Sequence, residues 1–307
     1  MRIIFLGTSS FALPCLSTLI ESENMVLCVV SRPPRPAGRG KKLRQPPVAE
    51  YSLENRLEIH QPDKLTLDFI STLKSMEPEL FVSAAYGAWL PNKLLEASEL
   101  GVVNVHPSLL PQYRGAAPIT RALLDGREET GVSFMLTDSG WDTGPVIAAV
   151  HERILPSDTA GSLEERLAMI AADSLIDVID GYSSGKLIPE KQPAEALYAE
   201  KITTDETWLD WTRPARYLER KVRAFQPSPG ARTMYSGKLL KVSRARISLC
   251  DADPGKVVRD DSALHVGCGG EESLEILEIQ PASRSAMSTA EFLRGSMMKT
   301  GDKLERS

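Results

Sequence analysis

The sequence predicts an α/β protein in which a mostly parallel sheet domain is followed by a smaller all-β module. Three observations lead there. Residues 2–6 form a short apolar run closed by Gly7; a helical pattern follows (Phe11, Leu13, Leu16, Leu19, Ile20), then a valine-rich run over 25–30. Continuous apolar runs recur at 80–85, 102–105, 132–136 and 146–150, with helical patterns over 119–124 and 163–179. Beyond residue 204 a short helix near 213–225 precedes brief strand-like runs at 239–242, 256–258, 263–266 and 274–279.

Each element has a physical reason. Strand, helix and strand in that order imply a parallel pair with a right-handed crossover. Strands that are apolar throughout imply a sheet covered on both faces. Residues 32–47 read as a loop from their proline and glycine content. In 163–179, Leu163, Leu167, Ile170, Leu175 and Val178 fall near one helical face. Residues 181–204 lose apolar runs and gain Gly181, Gly185, Pro189 and Pro193, so 190–204 is taken as a linker between 1–189 and 205–307. Several short strands separated by turn signals predict a small β-barrel.

Composition bounds the rest. The chain has 307 residues, 42% hydrophobic and 25% charged, which suits one large or two smaller globular domains and excludes a disordered or fibrous chain. The formal net charge of -5 gives no general attraction to polyanions, so any nucleic-acid face must come from local clustering. Two clusters stand out. Residues 32–47 hold six basic and no acidic residues; residues 213–246 hold ten basic residues and one acidic, Glu219. Residues 250–280 reverse this with eight acidic and two basic. Such polarity suits a phosphate-contacting face, and a solvated loop is the plain alternative. Cys15, Cys28, Cys250 and Cys268 form no CxxC pair and no metal-ligand spacing, so no metal is expected. No secretory h-region appears, and no apolar run approaches the ~18 residues of a membrane span. A cytoplasmic protein with no membrane partner is expected.

In an open α/β sheet, ligands bind beyond the carboxyl ends of strands. Two strand ends here are polar. Asn104-Val105-His106-Pro107 places Asn104 and His106 on one side of an extended segment, and Pro107 keeps His106 out of helical backbone. Asp138 to Gly144 forms a loop whose glycines permit close approach to a ligand. An amide, an imidazole and a carboxylate together suit acyl transfer. The amide supports a developing oxyanion, the imidazole relays a proton, and the carboxylate orients the imidazole. Taken singly, His106 also reads as a hydrogen-bonded structural histidine, and Asp142 and Asn104 as residues satisfying their own turns. Gly7-Thr8-Ser9-Ser10 is not a GxGxxG fingerprint, so a dinucleotide site is weakly supported.

The run Asn104-Val105-His106-Pro107-Ser108-Leu109-Leu110-Pro111-Gln112-Tyr113-Arg114-Gly115-Ala116-Ala117-Pro118-Ile119 resembles the signature of the folate-dependent formyltransferases, and Asp142-Thr143-Gly144 matches their downstream loop. Arg35 to Leu43, Ala85-Tyr86-Gly87 and the stretch from Asp210-Trp211 to Phe225 resemble the branch that formylates methionyl-tRNA. The resemblance implies a Rossmann-like formyltransferase domain over 1–189 and an OB-like, tRNA-binding barrel over 205–307. It implies transfer of the formyl group of 10-formyltetrahydrofolate to the amino group of methionyl-initiator tRNA, by a monomer without metal. Asn104, His106 and Asp142 would be catalytic. Ser108, Leu109, Leu110 and Pro111 would line the folate site, and Arg39, Lys41 and Lys42 would meet the tRNA acceptor stem. The chain departs from the family pattern at Gly7-Thr8-Ser9, Arg32-Pro33-Pro34, Trp141 and Pro227-Ser228-Pro229. Two other readings stand beside this one: a formyltransferase acting on a small amine such as an amino sugar or ribonucleotide, and a non-catalytic RNA-binding protein.

Overall fold

In the computed structural model the chain forms two compact units, and residues 1–37 and 42–306 are described. One unit comprises 1–118, 129–153 and 164–199; the other comprises 119–128, 154–163 and 200–307. In chain order the elements are β1 (Arg2–Gly7), α1 (Leu13–Glu21), β2 (Met25–Val30), β3 (Arg35–Ala37), β4 (Lys42–Arg44), α2 (Pro47–Glu54), β5 (Ile59–His60), α3 (Leu67–Ser75), β6 (Leu80–Ala84), α4 (Asn92–Leu95), β7 (Val102–His106), β8 (Arg114–Gly115), α5 (Pro118–Leu124), β9 (Glu129–Leu136), β10 (Val146–Arg153), α6 (Ala160–Ser183) and β11 (Tyr198–Ala199).

The first unit is built on a seven-stranded sheet in the order β10-β9-β7-β6-β1-β2-β5. β1 pairs in parallel with β2 and β6, and β6 in parallel with β7. The expected parallel core is therefore present, and its strands are buried because both faces are covered: Ile3 to Leu6 and Leu80 to Val82 are fully buried. β9 runs antiparallel to β7, a reversal that the apolar run 132–136 does not encode. The basic stretch read as a loop carries a two-stranded ladder, β3 on β4, and α2 begins at its end with Pro47 in the first turn. α3 is capped by Thr66, whose side chain accepts from the Phe69 N–H. α2, β5 and α3 lie where the sequence offered no strong periodicity. In the stretch expected as a linker, Glu190 bridges Val146, Gln192 is buried, and Tyr198–Ala199 pairs in parallel with Arg114–Gly115.

The second unit holds α7 (Ala215–Ala224), β12 (Ala231–Tyr235), β13 (Lys238–Ser248), β14 (Val257–Arg259), β15 (Leu264–Gly267), β16 (Ser273–Pro281), β17 (Met287–Ser288) and α8 (Thr289–Arg294). Its antiparallel sheet runs β12-β13-β16-β15-β14, with β17 on β16. β12 and β13 turn through Ser236 and Gly237, both at positive φ, as a tight hairpin requires. Glu305 bridges Met234 of β12, and Lys303 bridges Lys256 beside β14. The C-terminal segment thus joins both sheet edges, as a small barrel demands. Among the described residues, no helix is long and apolar enough to cross a membrane.

Three of the ten basic residues of 213–246 are paired with carboxylates within this unit, and two more are bonded to backbone carbonyls. Arg216 pairs with Glu272, Arg223 with Glu219 and Arg246 with Glu275. Lys221 is buried on the Trp208 carbonyl, and Lys241 bonds the Pro229 carbonyl. The acidic run of 250–280 is therefore partly the counter-charge of the basic run. Lys238 and Arg244 remain exposed.

One ion pair here has a pH signature. Two nitrogens of Arg121 reach the Glu206 carboxylate at 2.5 and 3.2 Å, and Thr203 donates to it. The Arg121 guanidinium, ahead of the Thr203 bonds, holds the Glu206 carboxyl down at about 2, from 4.5. A carboxyl lowered on folding contributes stability above its unfolded value and loses it as pH falls toward the folded one. Glu206→Gln is therefore expected to melt earlier than the parent protein at about pH 5, with the deficit shrinking toward about pH 3. A deficit of equal size at both pH values would show that this pair does not carry the effect.

Candidate active site

Asn104 and His106 stand two apart on β7, so their side chains leave the same face. β6 flanks them on one side, with Ser83 opposite Asn104; β9 flanks the other, with Ser133 opposite His106. His106 is 5% exposed, and its Nε2 lies 3.0 Å from the Tyr113 carbonyl oxygen. A carbonyl can only accept, so Nε2 carries the hydrogen and donates. The lone pair of the neutral ring is thereby fixed at Nδ1, which faces Asp142 Oδ2 at 3.8 Å.

The loop that delivers Asp142 follows the antiparallel β9. It starts with the Thr137 N–H donating to the Val102 carbonyl, at the beginning of β7, and reaches His106 at the end of that strand. Asp138 organises its turn: Oδ1 accepts from the Gly140 N–H at 2.9 Å and from the Thr143 hydroxyl at 2.6 Å. Asp142 does not satisfy its own turn. Its backbone is left-handed at φ +52°, and its Oδ2 accepts the Gly115 N–H at 2.9 Å, from 27 residues away. Gly144 is required by crowding, because a Cβ there would run into the Leu136 carbonyl.

Asn104, His106 and Asp142 converge on a cavity of about 460 Å³. Its other walls include Tyr86, Trp89 and Leu90 from the segment after β6, and Thr137, Asp138 and Trp141 from the Asp142 loop. Trp89 and Trp141 touch, with ring centroids 4.9 Å apart, and both are exposed. The volume and the aromatic lining are those of a small-molecule pocket. Burial pushes the Cys15, Cys28 and Cys268 thiols up to about 12, so none of the three is a ready nucleophile.

The expected donor-lining residues sit elsewhere. Ser108, Leu109, Leu110 and Pro111 are not in the cavity wall. Ser108 is fully buried, and its hydroxyl donates to the Gln112 carbonyl at 2.6 Å. Ser133 of β9 donates to the Ser108 carbonyl and accepts the Leu110 N–H, which fastens this turn to the sheet. Lys42 is exposed on β4, whereas Arg39 and Lys41 lie outside the described residues. Sequence reasoning missed Trp89, Gly115 and Gln192. Trp89 carried a signal, a large apolar residue amid the Gly, Ala and Pro of a strand end, and Gly115 lay within the run that carries the family resemblance.

Residues 1–179 match the family model described as formyl transferase, and residues 201–297 match the formyl transferase C-terminal domain. A methionyl-tRNA formyltransferase from Halorhodospira halophila is 42% identical over 311 residues, covering 99% of each chain. One from Myxococcus xanthus is 43% identical over 303 residues, covering 98% of this chain and 96% of that one. Among solved structures, a methionyl-tRNA formyltransferase from Clostridium thermocellum superposes with a TM-score of 0.59 at 20% identity, over 88% of this chain and all of that one. The sugar 3N-formyl transferase WlaRD, solved in the presence of dTDP and 5-N-formyl-THF, superposes with a TM-score of 0.68 at 15% identity, over 93% of this chain and 99% of that one. These last two speak to the fold. With the full-length relatives beside the two family models, the chain belongs to the methionyl-tRNA formyltransferases, a family of formyl transferases.

Proposed function

We propose that this chain moves the formyl group of 10-formyltetrahydrofolate onto the methionine amino group of initiator methionyl-tRNA, with Asn104, His106 and Asp142 as the catalytic residues. The carrying observation is their convergence on one cavity, with the His106 lone pair fixed toward Asp142.

The cavity suits a folate. It offers a flat aromatic and aliphatic wall at Tyr86, Trp89, Leu90 and Trp141, and a polar atom wanting a partner. Thr137 Oγ1 is buried without a hydrogen-bond partner among the described residues. Tyr86, Leu90, Thr137 and Trp141 would hold the donor, and Ser108 to Pro111 would act at one remove by fixing the strand end that carries His106. When bound, the donor supplies the formyl carbonyl. The protein supplies the rest. Asn104 donates its amide hydrogens to the carbonyl oxygen as negative charge builds there. His106 Nδ1 accepts the proton shed by the attacking amine, and Asp142 offsets the charge that the ring acquires. The same ring can return the proton to the departing nitrogen.

For the acceptor, the support is the full-length likeness to tRNA formylating relatives and the basic hairpin β3–β4, from which Lys42 projects exposed. Arg39 and Lys41 belong to the same proposed contact. Lys42→Ala should weaken tRNA binding and flatten the slope of log affinity against log salt by about one, as loss of one phosphate contact does. An unchanged slope would remove Lys42 from the interface. The test of the whole reading is formyl transfer from 10-formyltetrahydrofolate to methionyl-initiator tRNA, with methionyl-elongator tRNA and free methionine in parallel. Transfer to the initiator alone is expected. Folate-dependent transfer to an amino sugar or ribonucleotide, and to no tRNA, would overturn it.

A further inference from the structure

The loop that carries Asp142 is held from outside by one buried side chain. Gln192 lies beyond α6, 50 residues from Asp142, and is 8% exposed. Its Nε2 donates to the Asp142 carbonyl at 2.9 Å and to the Gly144 carbonyl at 2.7 Å. Its Oε1 accepts from Arg114 Nε at 3.0 Å and Nη2 at 2.8 Å. The amide's orientation follows from chemistry. Arg114 can only donate and the two carbonyls can only accept, so no flipped amide satisfies both sides. Both amide hydrogens and both carbonyl lone pairs of Gln192 are thereby used.

Three features give this clamp a purpose beyond packing. First, Asp142 is a non-glycine residue at φ +52°, a conformation that persists only where the surroundings over-determine it. Gln192 bonds that residue and the one two further on. Second, Arg114 is 6% exposed, and among the described residues no carboxylate lies within ion-pairing distance of it. Its guanidinium bonds the Gln192 oxygen twice and, at 3.5 Å, the Pro193 carbonyl; the pair on Gln192 polarises the amide and strengthens the two bonds on its nitrogen. Third, the residue after Arg114 is Gly115, whose N–H holds the Asp142 carboxylate itself. Arg114–Gly115 forms β8 and pairs with β11, which closes the same segment that carries Gln192. One strap, residues 190–199, therefore fixes Asp142 twice, at its backbone through Gln192 and at its carboxylate through Gly115.

We propose that Gln192 is a positioning residue for formyl transfer: backed by Arg114, it fixes the Asp142 loop so that the carboxylate faces His106. This rests on the reading of Asp142 given above. Gln192→Glu keeps the shape and the acceptor for Arg114 but sets an oxygen against two carbonyl oxygens. Gln192→Met keeps the volume and removes every donor and acceptor. Either is expected to lower kcat by about 100-fold, the cost of a small displacement of a reacting group, with KM for tRNA little changed and a cooperative melt retained. The decisive measurement is the double variant with Asp142→Asn. If Gln192 works through Asp142, adding Gln192→Glu or Gln192→Met to Asp142→Asn brings little further loss, because coupled residues are not additive. Losses that multiply, or a folded Gln192 variant with parental kcat, would overturn the proposal. Parental turnover in Asp142→Asn alone would instead fault the catalytic reading beneath it.

Discussion

His106→Ala is expected to slow formyl transfer by about 10²–10⁴-fold, the range for loss of a positioned general base. The argument is geometric. The Tyr113 carbonyl fixes the hydrogen on Nε2, which leaves Nδ1 as the basic atom, and Nδ1 faces the Asp142 carboxylate at the cavity wall. Alanine removes both the proton acceptor and the bond to Tyr113. It creates a void beside a cavity that already exists, so the fold should tolerate it, and a cooperative thermal melt checks this. Because the void opens on the cavity, added imidazole should restore part of the lost rate. Single-turnover formylation with methionyl-initiator tRNA is the measurement, with and without imidazole. Turnover near the parent's would place the proton elsewhere.

Asp142→Asn is expected to cost kcat about 100-fold or more, with little change in folding. The carboxylate holds two relations at once, accepting the Gly115 N–H through Oδ2 and facing His106 Nδ1. Both relations run through Oδ2, so an asparagine that keeps its oxygen for Gly115 also keeps that oxygen toward Nδ1, now without its negative charge. The neutral amide offers no negative charge to a ring that has taken up a proton, and that loss carries the expected effect. The expected pattern is a fall in kcat with the thermal midpoint and tRNA binding retained. A variant that loses tRNA binding while keeping kcat would assign Asp142 to substrate docking instead.

Both variants bear on residues that the sequence already singled out, and the reason is local. Asn104 and His106 share a face because any extended segment alternates its side chains, and their distance from one another needs no knowledge of the fold. The parallel core was legible for the same kind of reason: Ile3 to Leu6 and Leu80 to Val82 are apolar at every position, which only strands covered on both faces require. The antiparallel β9 was not legible, since an apolar run carries no direction. Neither was the placement of Ser108 to Pro111 in a turn sealed against Ser133, off the cavity wall. The charge clusters were visible, but their pairing was not: Arg216 meets Glu272 and Arg246 meets Glu275 across 56 and 29 residues.

The sequence by itself determined the strand–helix–strand opening, the short-stranded module after residue 204, and the identity of the amide, imidazole and carboxylate. These follow from periodicity and residue chemistry, which act over a few neighbours. Tertiary structure alone decided which atoms of those groups face one another. The tautomer of His106 depends on the carbonyl of Tyr113, the carboxylate of Asp142 on the N–H of Gly115, and the Asp142 loop on Gln192 and Arg114. Each of these is a hydrogen bond between segments brought together by sheet order and burial, and a directional bond across such separations leaves no trace in the pattern of either segment.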